Sequence, residues 1–188
     1  MKNIFLSINL SLASLIGAVA IASPAQVFIM RHGEKPTAGD NLDAQGYQRA
    51  TGLPAFFAST TQLKQFGPPV AIYAMAPSNT DSSNRPVETV APLAKALGIQ
   101  INSSFTKLQI VPLVTQIMNS PAYNNKSVLI CWEHTMIPQI AKDFGATMAP
   151  QAWDGNVFNQ IWVLSLAGNR VINFNSLLET ILPSDRSF

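Results

Sequence analysis

The segment Gln26-Val27-Phe28-Ile29-Met30-Arg31-His32-Gly33-Glu34-Lys35 joins an apolar run directly to a cluster of reactive side chains. Val27 to Met30 are apolar and partly β-branched, which reads as a buried strand. The cluster follows where open α/β sheets hold their ligands. Its chemistry suits a phosphate acceptor: a neutral imidazole is nucleophilic, and a neighbouring guanidinium disfavours the imidazolium. Arg31 offers a planar fork to phosphate oxygens, while Gly33 lets the main chain turn sharply and come close to an anion.

Working outward, a second junction has the same form. Ser127 to Trp132 is another buried strand, and it leads straight into Glu133-His134-Thr135 and an apolar helix through Ile137, Ile140 and Ala141. Between the two junctions, Asp43 is placed to cap a helix through Tyr47, Ala50 and Leu53 toward Phe57, which Pro54 should kink or divide. Val70 to Met75 reads as a strand after the turn Gly67-Pro68-Pro69. A helix from about Pro86 to Leu97 follows, closed by Gly98, with Arg85 at its N-terminus, where main-chain donors and the helix dipole favour anions. Ile99 to Phe105 alternates like a strand, and Leu108 to Asn119 reads as a helix interrupted by Pro112. Val157 to Leu166 and Val171 to Phe174 read as strands joined by a Gly168-Asn169 turn, with 179–188 a polar tail. Trp153, Phe158 and Trp162 read as packing residues.

Strands alternating with helices predict a three-layer α/β/α sandwich with a mostly parallel central sheet. Arg31-His32-Gly33-Glu34-Lys35 after a strand resembles the histidine phosphatase superfamily, the phosphoglycerate-mutase-like fold. Leu42 to Ala50 resembles that family's first helix, with Asp43 in place of the usual Thr or Ser. Arg85-Pro86-Val87-Glu88-Thr89 resembles its second-arginine segment, and the strand leading to His134 its second-histidine segment. The resemblance implies that His32 becomes phosphohistidine, that Arg31, Arg85 and His134 complete the phosphate pocket, and that a small phosphorylated compound is the substrate. No cofactor and no metal are expected.

The leaving alkoxide needs a proton, and the family's acid-phosphatase branch usually carries Asp directly after the second His. That position is Thr135. Glu133, Glu88, Asp81 and Glu34 remain as candidates. Glu133 ranks first because it shares a strand end with His134, although strand alternation turns it to the opposite face if His134 points inward. Gln100 to Lys126 contains no Asp or Glu, which argues against the mutase branch, whose acid usually lies in an insertion there. The reading is thus a phosphomonoesterase, with a weak or inactive phosphate-binding pseudoenzyme of the same fold as its alternative.

Bulk properties agree with one domain: 188 residues, 47% apolar, 12% charged, net charge +2. There is no basic run to suggest nucleic acid. Residues 1–22 carry Lys2, an apolar core and Ala20-Ile21-Ala22, which reads as a cleaved signal peptide, with 23–188 the domain and the periplasm or full secretion its destination. An uncleaved anchor is the rival reading; after cleavage no membrane association is expected. Cys131 is the only cysteine, so no internal disulfide forms and the thiol should be buried. Six residues after it stands Ile137, not the Arg of a cysteine-phosphatase loop, and no Gly-rich nucleotide loop occurs.

Overall fold

The computed structural model describes residues 23–186, so the expected leader, residues 1–22, lies outside the described residues. In chain order the elements are β1 (Gln26–Arg31), α1 (Ala44–Ser59), α2 (Thr61–Lys64), β2 (Pro69–Ala74), α3 (Arg85–Leu97), β3 (Ile101–Asn102), α4 (Ile110–Met118), β4 (Ser127–Trp132), α5 (Ile137–Asp143), β5 (Gln160–Ala167) and β6 (Arg170–Leu178). They build one six-stranded sheet in the order β3-β2-β4-β1-β5-β6. Only β5 runs against the others. The mostly parallel α/β sheet is therefore present, with helices on both faces.

Side-chain alternation divides the core between those faces. Val27 and Ile29 of β1 pack with Val128, Ile130 and Trp132 of β4 against Leu113 and Ile117 of α4 and Ile140 of α5. Phe28 and Met30 pack with Leu129 and Cys131 against Leu53 and Phe57 of α1 and Val90 and Leu93 of α3. Strands β1 and β4 are fully buried along their whole length, which explains why they read as unbroken apolar runs. The chain leaves β1 toward α1 on one face and leaves β4 toward α5 on the other. The two strands are parallel neighbours, with Arg31 level with Trp132. A crevice therefore opens between their C-terminal ends, at the topological switch point of the sheet.

Several local expectations need correction. Helix α1 continues through Pro54 instead of dividing there. Pro112 does not interrupt α4, because it falls in the first turn, where its missing N–H would have no intrahelical partner. The strand expected over Ile99 to Phe105 shrinks to Ile101–Asn102. Gly33 has no positive φ; its lack of a β-carbon serves close packing, since a Cβ there would lie 3.1 Å from the Gly46 Cα. The segment read as a polar tail folds back on the domain, with Glu179 and Asp185 buried. Asp43 caps α1 as expected, accepting from the Gly46 N–H at 2.8 Å. Cys131 is a buried free thiol. No helix among the described residues is long and apolar enough to cross a membrane.

Candidate active site

At the end of β1 the Arg31 and His32 side chains are almost wholly buried. The His32 main-chain N–H donates to the Trp132 carbonyl at 3.1 Å, extending the β1–β4 ladder past the last strand residue. His32 Nδ1 lies 2.7 Å from the Gly33 carbonyl. A carbonyl only accepts, so Nδ1 carries the proton and Nε2 keeps its lone pair. Burial pushes His32 down to about 4, and Arg31 and Arg85 add to the shift against the raising effect of the Gly33 bond and Glu133. The imidazole is neutral at physiological pH, the state a nucleophile requires.

The first turn of α3 is tied to this loop. Thr89 Oγ1 accepts from the Gly33 N–H at 2.8 Å and donates to the Arg85 carbonyl at 2.7 Å. Arg85 reaches back over the loop, donating to the Gly39 carbonyl at 2.6 Å. Glu88, one turn on, accepts from the Leu42 N–H at 2.8 Å and the Tyr47 hydroxyl at 3.0 Å. It holds the loop against α1.

At the end of β4 the strand stops at Trp132, and Glu133 caps a 3-10 turn over His134–Met136. Strand alternation therefore no longer governs residue 133, and Glu133 and His134 lie together. His134 Nδ1 is 2.6 Å from Glu133 Oε1, yet no hydrogen bond is formed along that line. Glu133 Oε2 accepts from the Thr135 N–H at 3.2 Å and from the Thr135 hydroxyl, and it pairs with Lys107 Nζ at 3.2 Å. Lys107 also reaches Asp81 at 3.5 Å. Burial works against the Glu133 anion, but Thr135, Lys107 and His134 outweigh it, leaving the carboxyl below its ordinary range. His134 is lowered by burial and then by Arg31, against Glu133.

The loop between α5 and β5 closes the third side. Arg31 donates to the Gly155 carbonyl at 2.6 Å and the Val157 carbonyl at 3.2 Å, and its guanidinium carbon sits 3.6 Å from the centre of the Phe158 ring. The Phe158 ring also lies 6.2 Å from that of His32. A Cβ on Gly155 would approach His134 Nε2 to 3.3 Å, so this loop touches both junctions. Burial lowers Arg31 to about 10, against Glu133 and Glu34, which leaves it cationic at neutral pH. Two donors remain unmatched: Arg31 Nε and Arg85 Nε are buried and have no acceptor. Guanidinium N–H groups only donate, so each of these lacks an acceptor among the described residues, and both cations act on the neutral His32. Among the described residues no three His, Cys, Asp or Glu side chains are grouped to hold a metal ion.

No protein-family model matches the sequence, and neither does any curated protein. Comparison with solved structures does find matches. The protein histidine phosphatase SixA, solved in complex with tungstate, is 17% identical, with a TM-score of 0.57 over 82% of this chain and 97% of that one. A mycobacterial glucosyl-3-phosphoglycerate phosphatase is 10% identical, with a TM-score of 0.54 over 82% and 97%. The chain has the phosphoglycerate-mutase-like fold of the histidine phosphatases.

Within this fold, Arg31 and His32 stand at the end of β1, His134 follows β4, and Arg85 opens α3, whose Thr89 holds the Gly33 N–H; Arg31 acts electrostatically on His32, Arg85 and His134, and Arg85 on His32. Of the four carboxyls considered as proton donors, Glu133 adjoins His134. Glu34 points away, into a buried pair with Arg49, and Glu88 is occupied by the loop. Asp81 meets the site only through Lys107. Trp153 and Trp162 are packing residues, with ring centres 5.1 Å apart. Phe158, read from the sequence as packing, packs over the Arg31 guanidinium, near the His32 ring. Thr89, Lys107 and Gly155 carried no signal of a site role beyond the match of Thr89 to the second-arginine segment.

Proposed function

We propose that this chain is an exported phosphatase that hydrolyses phosphate monoesters through a phosphohistidine on His32. The observation that carries the reading is the pair of buried, acceptor-less guanidinium donors of Arg31 and Arg85, both acting on a histidine held neutral with Nε2 bare. A tetrahedral oxyanion supplies the missing acceptors, and tungstate in the SixA complex is of that shape. In the first half-reaction His32 Nε2 attacks phosphorus in line, the Nε2–P bond forms and the P–O bond to the leaving group breaks. Arg31, Arg85 and His134 donate to the oxygens on which charge gathers. In the second, water attacks phosphorus, its proton is taken up, and Nε2 departs.

Glu133 is the carboxyl best placed for that proton. Ionised, it accepts from the attacking water in the second step but has nothing to give in the first. The reading therefore favours leaving groups that depart as stable anions. Engagement of every nearby carboxyl also supports the other reading, a phosphate-binding module without turnover. Export rests on the composition of residues 1–22 and makes the periplasm or the exterior its location.

Hydrolysis of a chromogenic aryl phosphate, whose leaving group hardly needs an acid, separates the two. The phosphatase reading expects turnover that His32→Ala lowers by about 10³-fold or more, and that Glu133→Gln lowers by only about tenfold. Tight phosphate binding with no turnover by the intact protein would establish the binding module instead.

A further inference from the structure

Among the described residues, four buried charged side chains, Arg49, Glu34, Glu179 and Asp185, gather apart from the candidate phosphate site. Arg49 of α1, 1% exposed, donates from Nε to both Glu34 oxygens at 3.1 and 3.0 Å. Its two terminal nitrogens donate to Asp185 at 2.9 and 3.0 Å, and one also reaches Glu179 at 3.4 Å. Asp185 in turn accepts from the N–H groups of Ile181 and Leu182 at 3.1 and 2.7 Å, folding the C-terminal segment around its own carboxylate. Ile181 packs on α1 where only a glycine fits, since a Cβ on Gly52 would lie 2.2 Å from its side chain.

Glu34 is the residue after Gly33, and the Gly33 carbonyl that fixes the His32 ring belongs to the peptide unit joining the two. That unit is pinned on both sides. Upstream, the Gly33 N–H is held by Thr89. Downstream, the Glu34 carbonyl accepts from the Asp43 N–H at 3.1 Å, and its side chain is gripped by Arg49. A rotation of this peptide plane would withdraw the acceptor from His32 Nδ1, and the proton would then be free to move to Nε2. We propose that Arg49 is a positioning residue: braced by Asp185 and Glu179 of the C-terminal segment, it sets Glu34 and thereby the Gly33 carbonyl that keeps His32 in its nucleophilic tautomer. The proposal rests on the phosphatase reading for its kinetic consequence only.

The test is the tautomer of His32, read by nitrogen-15 NMR in the unmodified protein, Arg49→Met, Arg49→Lys and Asp185→Asn. The chain has only two histidines, and His134→Gln assigns their signals. The expected result is an Nδ1–H tautomer in the unmodified protein and a mixture in Arg49→Met, with Arg49→Lys and Asp185→Asn between them. kcat falls about ten- to hundredfold in Arg49→Met while affinity for inorganic phosphate changes by less than about threefold. A folded Arg49→Met that melts earlier but keeps the tautomer and kcat would overturn the proposal, because the cluster would then be a brace alone. Arg49→Met strands buried carboxylates; should it fail to fold, an unchanged tautomer in both Arg49→Lys and Asp185→Asn overturns the proposal equally. The NMR result needs no turnover, so its failure is distinct from failure of the phosphatase reading.

Discussion

His32 owes its chemistry to three neighbours that act on different properties of one ring. The Gly33 carbonyl selects the tautomer, burial removes the stabilisation of the imidazolium, and Arg31 with Arg85 opposes any remaining positive charge. The sign of the pH dependence follows. Because protonation is shifted down to about 4, the acid limb of kcat/KM should lie near that pH and not near the ordinary value of about 6.5. A pH–rate profile with an aryl phosphate checks this, and a limb close to 6.5 would mean the ring is solvated in the working enzyme. Much of this site was legible in the sequence, because Arg31-His32 directly follows one apolar run that reads as a buried strand, and Glu133-His134 directly follows another. The relation of Glu133, ranked first among the carboxyls, to His134 was not. That relation depends on where β4 stops, and a 3-10 turn beginning one residue after Trp132 brings Glu133 beside His134 in a way that strand alternation forbids. For a related reason the sequence did not show what Phe158 packs on: an aromatic residue near a strand looks the same whether it faces the core or lies over an arginine.

Helix α1 shows how element placement is set by what it lacks. Gly46 sits where a Cβ would lie 2.4 Å from the Glu34 carbonyl oxygen and 3.1 Å from the Leu42 Cβ. Helix propensity alone predicts that Gly46→Ala stabilises by about 1 kcal/mol. The close backbone approach reverses the sign, and we expect net destabilisation of about 1–3 kcal/mol in denaturant unfolding, as for other overpacking substitutions. A stabilised Gly46→Ala variant would show that α1 can move off the loop freely. The helices were legible where Pro and Gly fall at their ends, as with Pro86 and Gly98, whose φ of 67° closes α3. They were misjudged at Pro54 and Pro112, because sequence shows a proline but not which turn of the helix it occupies. The short β3 was overread, since alternation over Ile99 to Phe105 says nothing about whether a partner strand extends that far; only Ile101 and Asn102 pair with β2.

Across the whole molecule, the C-terminal segment turns charge burial into pH-dependent stability. Burial pushes Glu179 up to about 8, with Arg49 opposing. Here the folded state holds a proton that the unfolded chain releases, so stability falls as pH rises from the ordinary Glu value toward 8. His32 and His134, lowered in the fold, act oppositely below about 6.5, where stability rises with pH. Above pH 6.5 the remaining histidine contribution is small and common to both proteins, so the Glu179 effect is read as a difference: between about pH 6.5 and 8 the unmodified protein should lose stability relative to Glu179→Gln by on the order of 1 kcal/mol. Parallel slopes in thermal melts would remove Glu179 from the account. No composition or spacing marked residues 179–186 as part of the core, because a buried carboxylate is distinguishable from a surface one only through its partner, and Arg49 lies far away in sequence. The sheet, the crevice and the clamped His32 together make one claim, that phosphate is carried on this histidine. Rapid acid-free quenching during turnover of an aryl phosphate, followed by mass spectrometry of the peptide containing His32, tests it directly. The account predicts one phosphoryl group on His32, lost under acid, kept under base and absent from His32→Ala; turnover with no phosphopeptide at any time point, or a phosphoryl group on another residue, would contradict it.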